Sequence, residues 1–114
     1  MKTLCINEKA LLKEAISAIQ ANDDRCVVVL GQNDVVLGVF SEGDVLRAVL
    51  AGREMHAPIK YLIRPNFTYL NKYCKRELLN IFKKGHTLIP IVDKDFRLLN
   101  IITLINFLNE EHNG

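Results

Sequence analysis

Gly38-Val39-Phe40-Ser41-Glu42-Gly43-Asp44 and, 62 residues further on, Asn100-Ile101-Ile102-Thr103-Leu104-Ile105-Asn106 decide the fold when one is laid over the other. A small hydroxyl residue covers another, Ser41 over Thr103. Three positions later Asp44 covers Asn106. At the same offset Cys26-Val27-Val28-Val29-Leu30 lies over Leu88-Ile89-Pro90-Ile91-Val92. An offset of 63 pairs Lys13-Glu14-Ala15-Ile16 with Arg76-Glu77-Leu78-Leu79. The one-residue difference falls at Asn22-Asp23-Asp24, a turn composition. The chain therefore reads as two copies of one unit.

Each copy predicts the same order of elements. A short strand opens it, Thr3–Ile6 and then Phe67–Leu70. A helix follows, with Leu11, Leu12, Ala15, Ile16 and Ile19, then Leu78, Leu79 and Phe82, at helical spacing. Two β-branched strands come next around a polar turn. They are Cys26–Leu30 and Val35–Phe40 about Gly31-Gln32-Asn33-Asp34, then Leu88–Val92 and Leu98–Ile102 about Asp93-Lys94-Asp95-Phe96. A second helix closes each copy, Gly43–Leu50 and Leu104–Glu111. Pro58 and Pro65 punctuate the join, with a helical turn expected over Ile59–Ile63. The expected architecture is α+β: two β-α-β-β-α repeats, 1–57 and 58–114, related by a pseudo-twofold axis, with small three-stranded mixed sheets packed by helices.

Length and composition agree with one folded module. The 114 residues are 49% hydrophobic and 25% charged, with a net charge of +2. That excludes a disordered chain and an overall nucleic-acid footprint. The charge is uneven, with residues 1–57 at −2 and residues 58–114 at +4. Lys72, Lys75, Arg76, Lys83 and Lys84 form either a solvated face or a docking patch. Three widely spaced cysteines, Cys5, Cys26 and Cys74, form no disulfide framework and no zinc spacing. The N-terminus lacks a secretory pattern and no apolar run reaches membrane length, so a cytoplasmic setting is expected.

The paired motif has its own chemistry. Ser41 and Thr103 end a strand and open a helix, where their hydroxyls can cap it. A helix start also offers free N–H groups and a positive dipole end, which favour phosphate. Asp44 and Asn106 fall in the first turn. A carboxylate there can accept both hydroxyls of a ribose, whereas an amide accepts one. Gly38 permits a close backbone approach. The alternative is a plain capping box from Ser41 to Asp44 with no ligand. Arg47, Arg53 and Arg64 are candidate phosphate partners or surface residues. His86 stands near a strand start, and His56 and His112 read as loop and tail.

Two such units resemble a tandem pair of CBS domains, a Bateman module. Val35–Ala48 resembles the family's G-h-x-[ST]-x-x-[DN] nucleotide motif, and His86–Asp93 resembles its h-x-P-V-V-D strand. Ser41–Gly52 is similar to CBS pairs associated with sugar-phosphate nucleotidyltransferases or isomerases. The resemblance implies a regulatory module that binds AMP, ADP or ATP in the cleft between repeats, does no chemistry, and forms a disc-like homodimer. It implies Gly38, Ser41, Asp44, Thr103 and Asn106 as ligand-binding residues. It also implies an adenine slot in copy two from Ile63, Phe67, Thr87, Leu88, Ile89 and Pro90. In copy one the slot would be Thr3, Leu4, Arg25, Cys26 and Val27. Copy two departs from the pattern, with Asn100 in place of Gly and Asn106 in place of Asp.

No P-loop, dinucleotide fingerprint, HExxH or nucleophile elbow is present. No catalytic residue, metal or resident cofactor is expected. A fused or separate catalytic partner is expected, and a membrane or nucleic acid is not. Two other readings stand beside the sensor: a structural dimerisation module with degenerate clefts, and the regulatory part of a sugar-nucleotide-pathway enzyme.

Overall fold

The structure, a computed structural model, describes residues 4–113, with side chains to residue 111. It divides into two compact units, one running to Phe67 and the other starting at Thr68. The first unit holds β1 (Cys5–Asn7), α1 (Leu12–Ala21), β2 (Cys26–Leu30), β3 (Val36–Ser41) and α2 (Glu42–Leu50). The second holds α3 (Lys75–Lys83), β4 (Leu88–Val92), β5 (Leu98–Thr103) and α4 (Leu104–Asn113). This is the α+β architecture of the sequence repeat, with element ends shifted by a residue or two. Of the first predicted strand, Thr3 lies outside the described residues.

In the first unit β1 runs parallel to β2, and β3 runs antiparallel to β2. β3 alternates, burying Val36, Gly38 and Phe40 while Leu37, Val39 and Ser41 stay half-exposed. Val27, Val29 and Phe40 pack with Leu12, Ala15 and Ile19 of α1 and Ala48 of α2. Asn22 shapes the α1–β2 turn. Its Nδ2 donates to the Ala18 and Cys26 carbonyls, and its Oδ1 accepts from the Asp24 and Arg25 N–H groups. α2 ends at a glycine in the left-handed region, Gly52 at φ +76°, with the Arg53 N–H returning to the Ala48 carbonyl.

Residues 57–63 belong to this unit, although the repeat in sequence ends at residue 57. The Leu12 N–H donates to Ala57, the Ile59 N–H to Ala10 and the Lys60 N–H to Glu8. Ile59, in a short 3-10 turn over Ile59–Tyr61, is fully buried in the same core, with Leu62 and Ile63 packed against it. The compact unit and the sequence repeat thus end at different residues.

The second unit repeats the register of the first at an offset of 62. Cys26 pairs with Ser41 and Leu88 with Thr103; the bulges fall at Val29/Leu30 and Ile91/Val92. The helices repeat at 63, buried Ala15 and Ile19 answering to buried Leu78 and Phe82. The strand expected over Phe67–Leu70 does not form, and the sheet has two strands instead of three. Only Leu70 pairs, in a parallel bridge to Ile91. The Leu70 N–H donates to Pro90 and its carbonyl accepts from Val92. The next rung of a parallel ladder would need the N–H of residue 90, which proline lacks. At the other end, Asn71 Nδ2 donates to the Val92 carbonyl at 3.2 Å. In the first unit the equivalent Leu30 carbonyl accepts from the Glu8 main chain at 2.9 Å. A side-chain amide has taken over from a strand.

Candidate functional site

The end of β3 delivers Ser41 to the N-cap of α2, and Asp44 closes on it. Asp44 Oδ2 accepts from the Ser41 N–H at 2.9 Å and the Ser41 hydroxyl at 3.0 Å. In return Ser41 Oγ accepts from the Asp44 N–H at 3.3 Å. This is a reciprocal capping box, a device that stabilises a helix by about 1 kcal/mol. Asp44 Oδ1 faces two cations. Arg47, one turn along α2, hydrogen-bonds it, and Arg64 Nη2 stands 3.9 Å away. The Asp44 side chain is 16% exposed, whereas those of Arg47 and Arg64 are 57% and 62% exposed.

Arg64 is held close by its backbone. A Cβ placed on Gly38 would lie 3.1 Å from the Arg64 carbonyl oxygen and 3.7 Å from Ile63 Cβ. The close approach expected at Gly38 is therefore made, and it is the 63–64 segment of the same unit that makes it. At the helix start, the Glu42 N–H donates to the Arg25 carbonyl at 3.1 Å. Two of the N–H groups expected to face a phosphate, those of Glu42 and Asp44, are thus bonded within the chain.

Burial pushes the Asp44 carboxyl up, but hydrogen bonds from Ser41 and Arg47 and the charge of Arg47 outweigh it. They hold the carboxyl below the ordinary carboxylate value of 3.8. A group depressed in the folded state adds stability above its unfolded pKa and loses it as pH falls through the folded one. The stability gap between the wild type and Asp44→Asn is therefore expected to be full at neutral pH. It closes as pH drops below 3.8 through the lower folded value. Thermal midpoints of both proteins down to about pH 2.5 measure it. A gap unchanged over that range would contradict the assignment.

The second unit carries the same frame without the charges. Thr103, 5% exposed, accepts from the Asn106 N–H at 3.2 Å. The Leu104 N–H donates to the Thr87 carbonyl at 2.9 Å, the counterpart of Glu42 to Arg25. Asn106 is exposed and has no carboxylate; Asn109 stands where Arg47 does; Asn100, exposed, replaces Gly38.

The other residues implied as ligand contacts are divided between the two units. Ile63 and Phe67, both half-buried, are in the first unit. Thr87, Ile89 and Pro90 are in the second. Ile89 is fully buried in a core with Leu78, Phe82 and Phe107. Pro90 is fully buried and its carbonyl is bonded to Leu70. In copy one, Thr3 lies outside the described residues, Leu4 is half-buried, and Val27 is in the core. Arg25 is exposed, with φ +60°. The link from Arg64 to Asp44 joins positions 20 residues apart, which no local spacing could reveal. Among the described residues no His, Cys, Asp and Glu group could hold a metal ion, and Cys5, Cys26 and Cys74 form no disulfide. No helix among them is long and apolar enough to cross a membrane.

Comparison with known proteins places this frame. The CBS domain model matches residues 1–51. Arabinose 5-phosphate isomerase GutQ of Salmonella typhimurium is 32% identical over 85 residues, covering 71% of this chain and 26% of the isomerase. The chain thus spans about a quarter of the length of the curated relatives it matches. AcuB from Vibrio cholerae has the same fold, at TM-score 0.82 and 24% identity over 96% of this chain and 82% of that one. So does the CBS domain protein PAE2072 from Pyrobaculum aerophilum, whose structure is complexed with AMP. Its TM-score is 0.71 at 18% identity, over 97% of this chain and 92% of that one. Residues 1–51 thus match the CBS domain, the second unit repeats all of its elements but the first strand, and the chain as a whole has the fold of CBS-domain structures.

Proposed function

We propose that this chain is a regulatory module that binds an adenosine nucleotide, AMP, ADP or ATP, and controls a fused or partner protein. The Ser41–Asp44 pair carries the reading: a half-buried carboxylate held in its charged form at the start of α2, with two arginines beside it. A ribose hydroxyl donates to such a carboxylate, and guanidinium groups suit the phosphate. The AMP-bound relative of the same fold supports this choice of ligand. Binding would shift the population of module conformations, and a catalytic domain would respond. The likeness to an arabinose 5-phosphate isomerase makes a sugar-phosphate enzyme the partner class of choice. The module itself does no chemistry and needs no cofactor; we place it in the cytoplasm as a homodimer.

Thermal shift with AMP, ADP, ATP and S-adenosylmethionine tests the reading. A ligand at a hundredfold excess over its dissociation constant adds about 2.7 kcal/mol. For a domain of this size that raises the midpoint on the order of 10 °C. Asp44→Ala is expected to abolish the shift, each midpoint being read against the variant's own ligand-free baseline. The same substitution removes the carboxylate half of the capping box and lowers that baseline by about 1 kcal/mol.

One observation favours a second reading, a structural module with degenerate sites. Asp44 already has its donors within the chain, and the second repeat has Asn106 where that carboxylate would stand. No shift with any adenosine ligand at millimolar concentration would put that reading first.

A further inference from the structure

We infer that Arg47 and Arg64 form a displaceable latch on Asp44 that makes this site select phosphorylated nucleotides over the uncharged nucleoside. The inference rests on the nucleotide reading above and assigns the specificity of that same site. It starts from the way the carboxylate is shared. Asp44 Oδ2 is engaged by the Ser41 N–H and hydroxyl, which build the helix start. Those donors are fixed in the backbone frame. Asp44 Oδ1 is engaged by Arg47, with Arg64 at 3.9 Å, and both are more than half exposed. Only the Oδ1 side can be exchanged without unmaking α2. A ribose docking on Asp44 therefore competes with Arg47.

The competition has a direction set by charge. One carboxylate between two guanidinium groups leaves the cluster with one surplus positive charge. A ribose hydroxyl that takes Oδ1 strips Arg47 of its partner and offers nothing in return. A nucleotide brings its own anion, which both forks can hold in bidentate fashion. An exposed ion pair such as Arg47–Asp44 contributes little, so it yields to the stronger charge-assisted contact with a phosphate. Arg64 is suited to follow. Its carbonyl is lodged against Gly38, so the backbone stays in place while the long side chain reaches. Pro65 restricts the same backbone from the other side.

Calorimetric titration of the full chain with adenosine, AMP and ATP provides the test. The proteins are the wild type, Arg47→Gln, Arg64→Gln, the double variant and Arg47→Lys. Wild type is expected to bind AMP about tenfold or more tighter than adenosine, the scale of one charged hydrogen-bonded contact. In the double variant that ratio falls to near one, with adenosine affinity unchanged or raised because the latch is gone. Arg47→Lys, which keeps the charge and loses the fork, falls between. Both side chains are largely exposed, and circular dichroism checks that the variants fold. A double variant that keeps the wild-type ratio overturns the latch and leaves the nucleotide reading standing. So does a wild type that binds adenosine as tightly as AMP. A wild type that binds none of the three overturns both.

Discussion

Phe40→Ala is expected to destabilise the protein by about 3–5 kcal/mol, the range for emptying a buried aromatic site. Phe40 is fully buried and meets Leu12, Ala15 and Ile19 of α1, Val27 and Val29 of β2, and Ile59 from the segment after α2 in one cluster. Strand, helix and returning segment all contribute to that cluster. A cavity there cannot be filled by one side chain turning inward, because its walls come from separate elements already held by backbone hydrogen bonds. For a domain this small the midpoint should fall on the order of 15 °C or more. Phe40→Leu keeps most of the volume and should cost about 1 kcal/mol. A drop of only a few degrees for the alanine variant would mean that the cluster closes over the gap. Phe40 also directly precedes Ser41, so a loosened β3 would misplace the cap and Asp44 with it.

What could be read from residues alone follows how local the cause is. β2 and β4 are runs of apolar, mostly β-branched residues, and their bounds in the structure are Cys26–Leu30 and Leu88–Val92, as the pattern predicts. The repeat offset survives down to the position of the bulge. The strand expected over Phe67–Leu70 is absent because the segment has strand-forming residues but no donor at Pro90 to receive it. Strand formation there is decided by the partner, not by the segment. The compact unit also runs past the join that the sequence marks. Pro58 punctuates the chain, yet Ile59, Leu62 and Ile63 fill the core of the unit before it. Of the site, the Ser41–Asp44 relation was legible because it spans three residues of one helix start. The Asp44–Arg64 relation was not, since it depends on where a turn of irregular backbone returns. Ile89 and Pro90 illustrate the converse: both carry the family motif, and both are fully buried in their unit.

Gly38→Val sets two effects of opposite sign against each other. Valine is a better strand former than glycine by up to about 1 kcal/mol, so propensity alone predicts a stabler β3. Packing predicts the reverse. A Cβ at residue 38 would stand 3.1 Å from the Arg64 carbonyl oxygen, and the two methyl groups of valine would reach further into the same space. The carbonyl cannot simply withdraw. The Ile63 N–H is bonded to the Ile59 carbonyl, Leu62 and Ile63 pack on the core, and Pro65 narrows the backbone choices of residue 64. Overpacking of this kind costs about 1–3 kcal/mol, and it falls on a backbone oxygen instead of a flexible tip. The net expectation is a loss of about 1–2 kcal/mol after the gain in propensity is subtracted. Gly38→Ala should lie between the variant and wild type. Denaturant midpoints of the three proteins measure the series, and a valine variant stabler than wild type would show that the 63–64 segment can move without loss. The same displacement would draw Arg64 away from Asp44, so the valine variant should also lose part of its preference for AMP over adenosine. A valine variant with the wild-type preference would mean that Arg64 reaches the ligand independently of its backbone seat on Gly38.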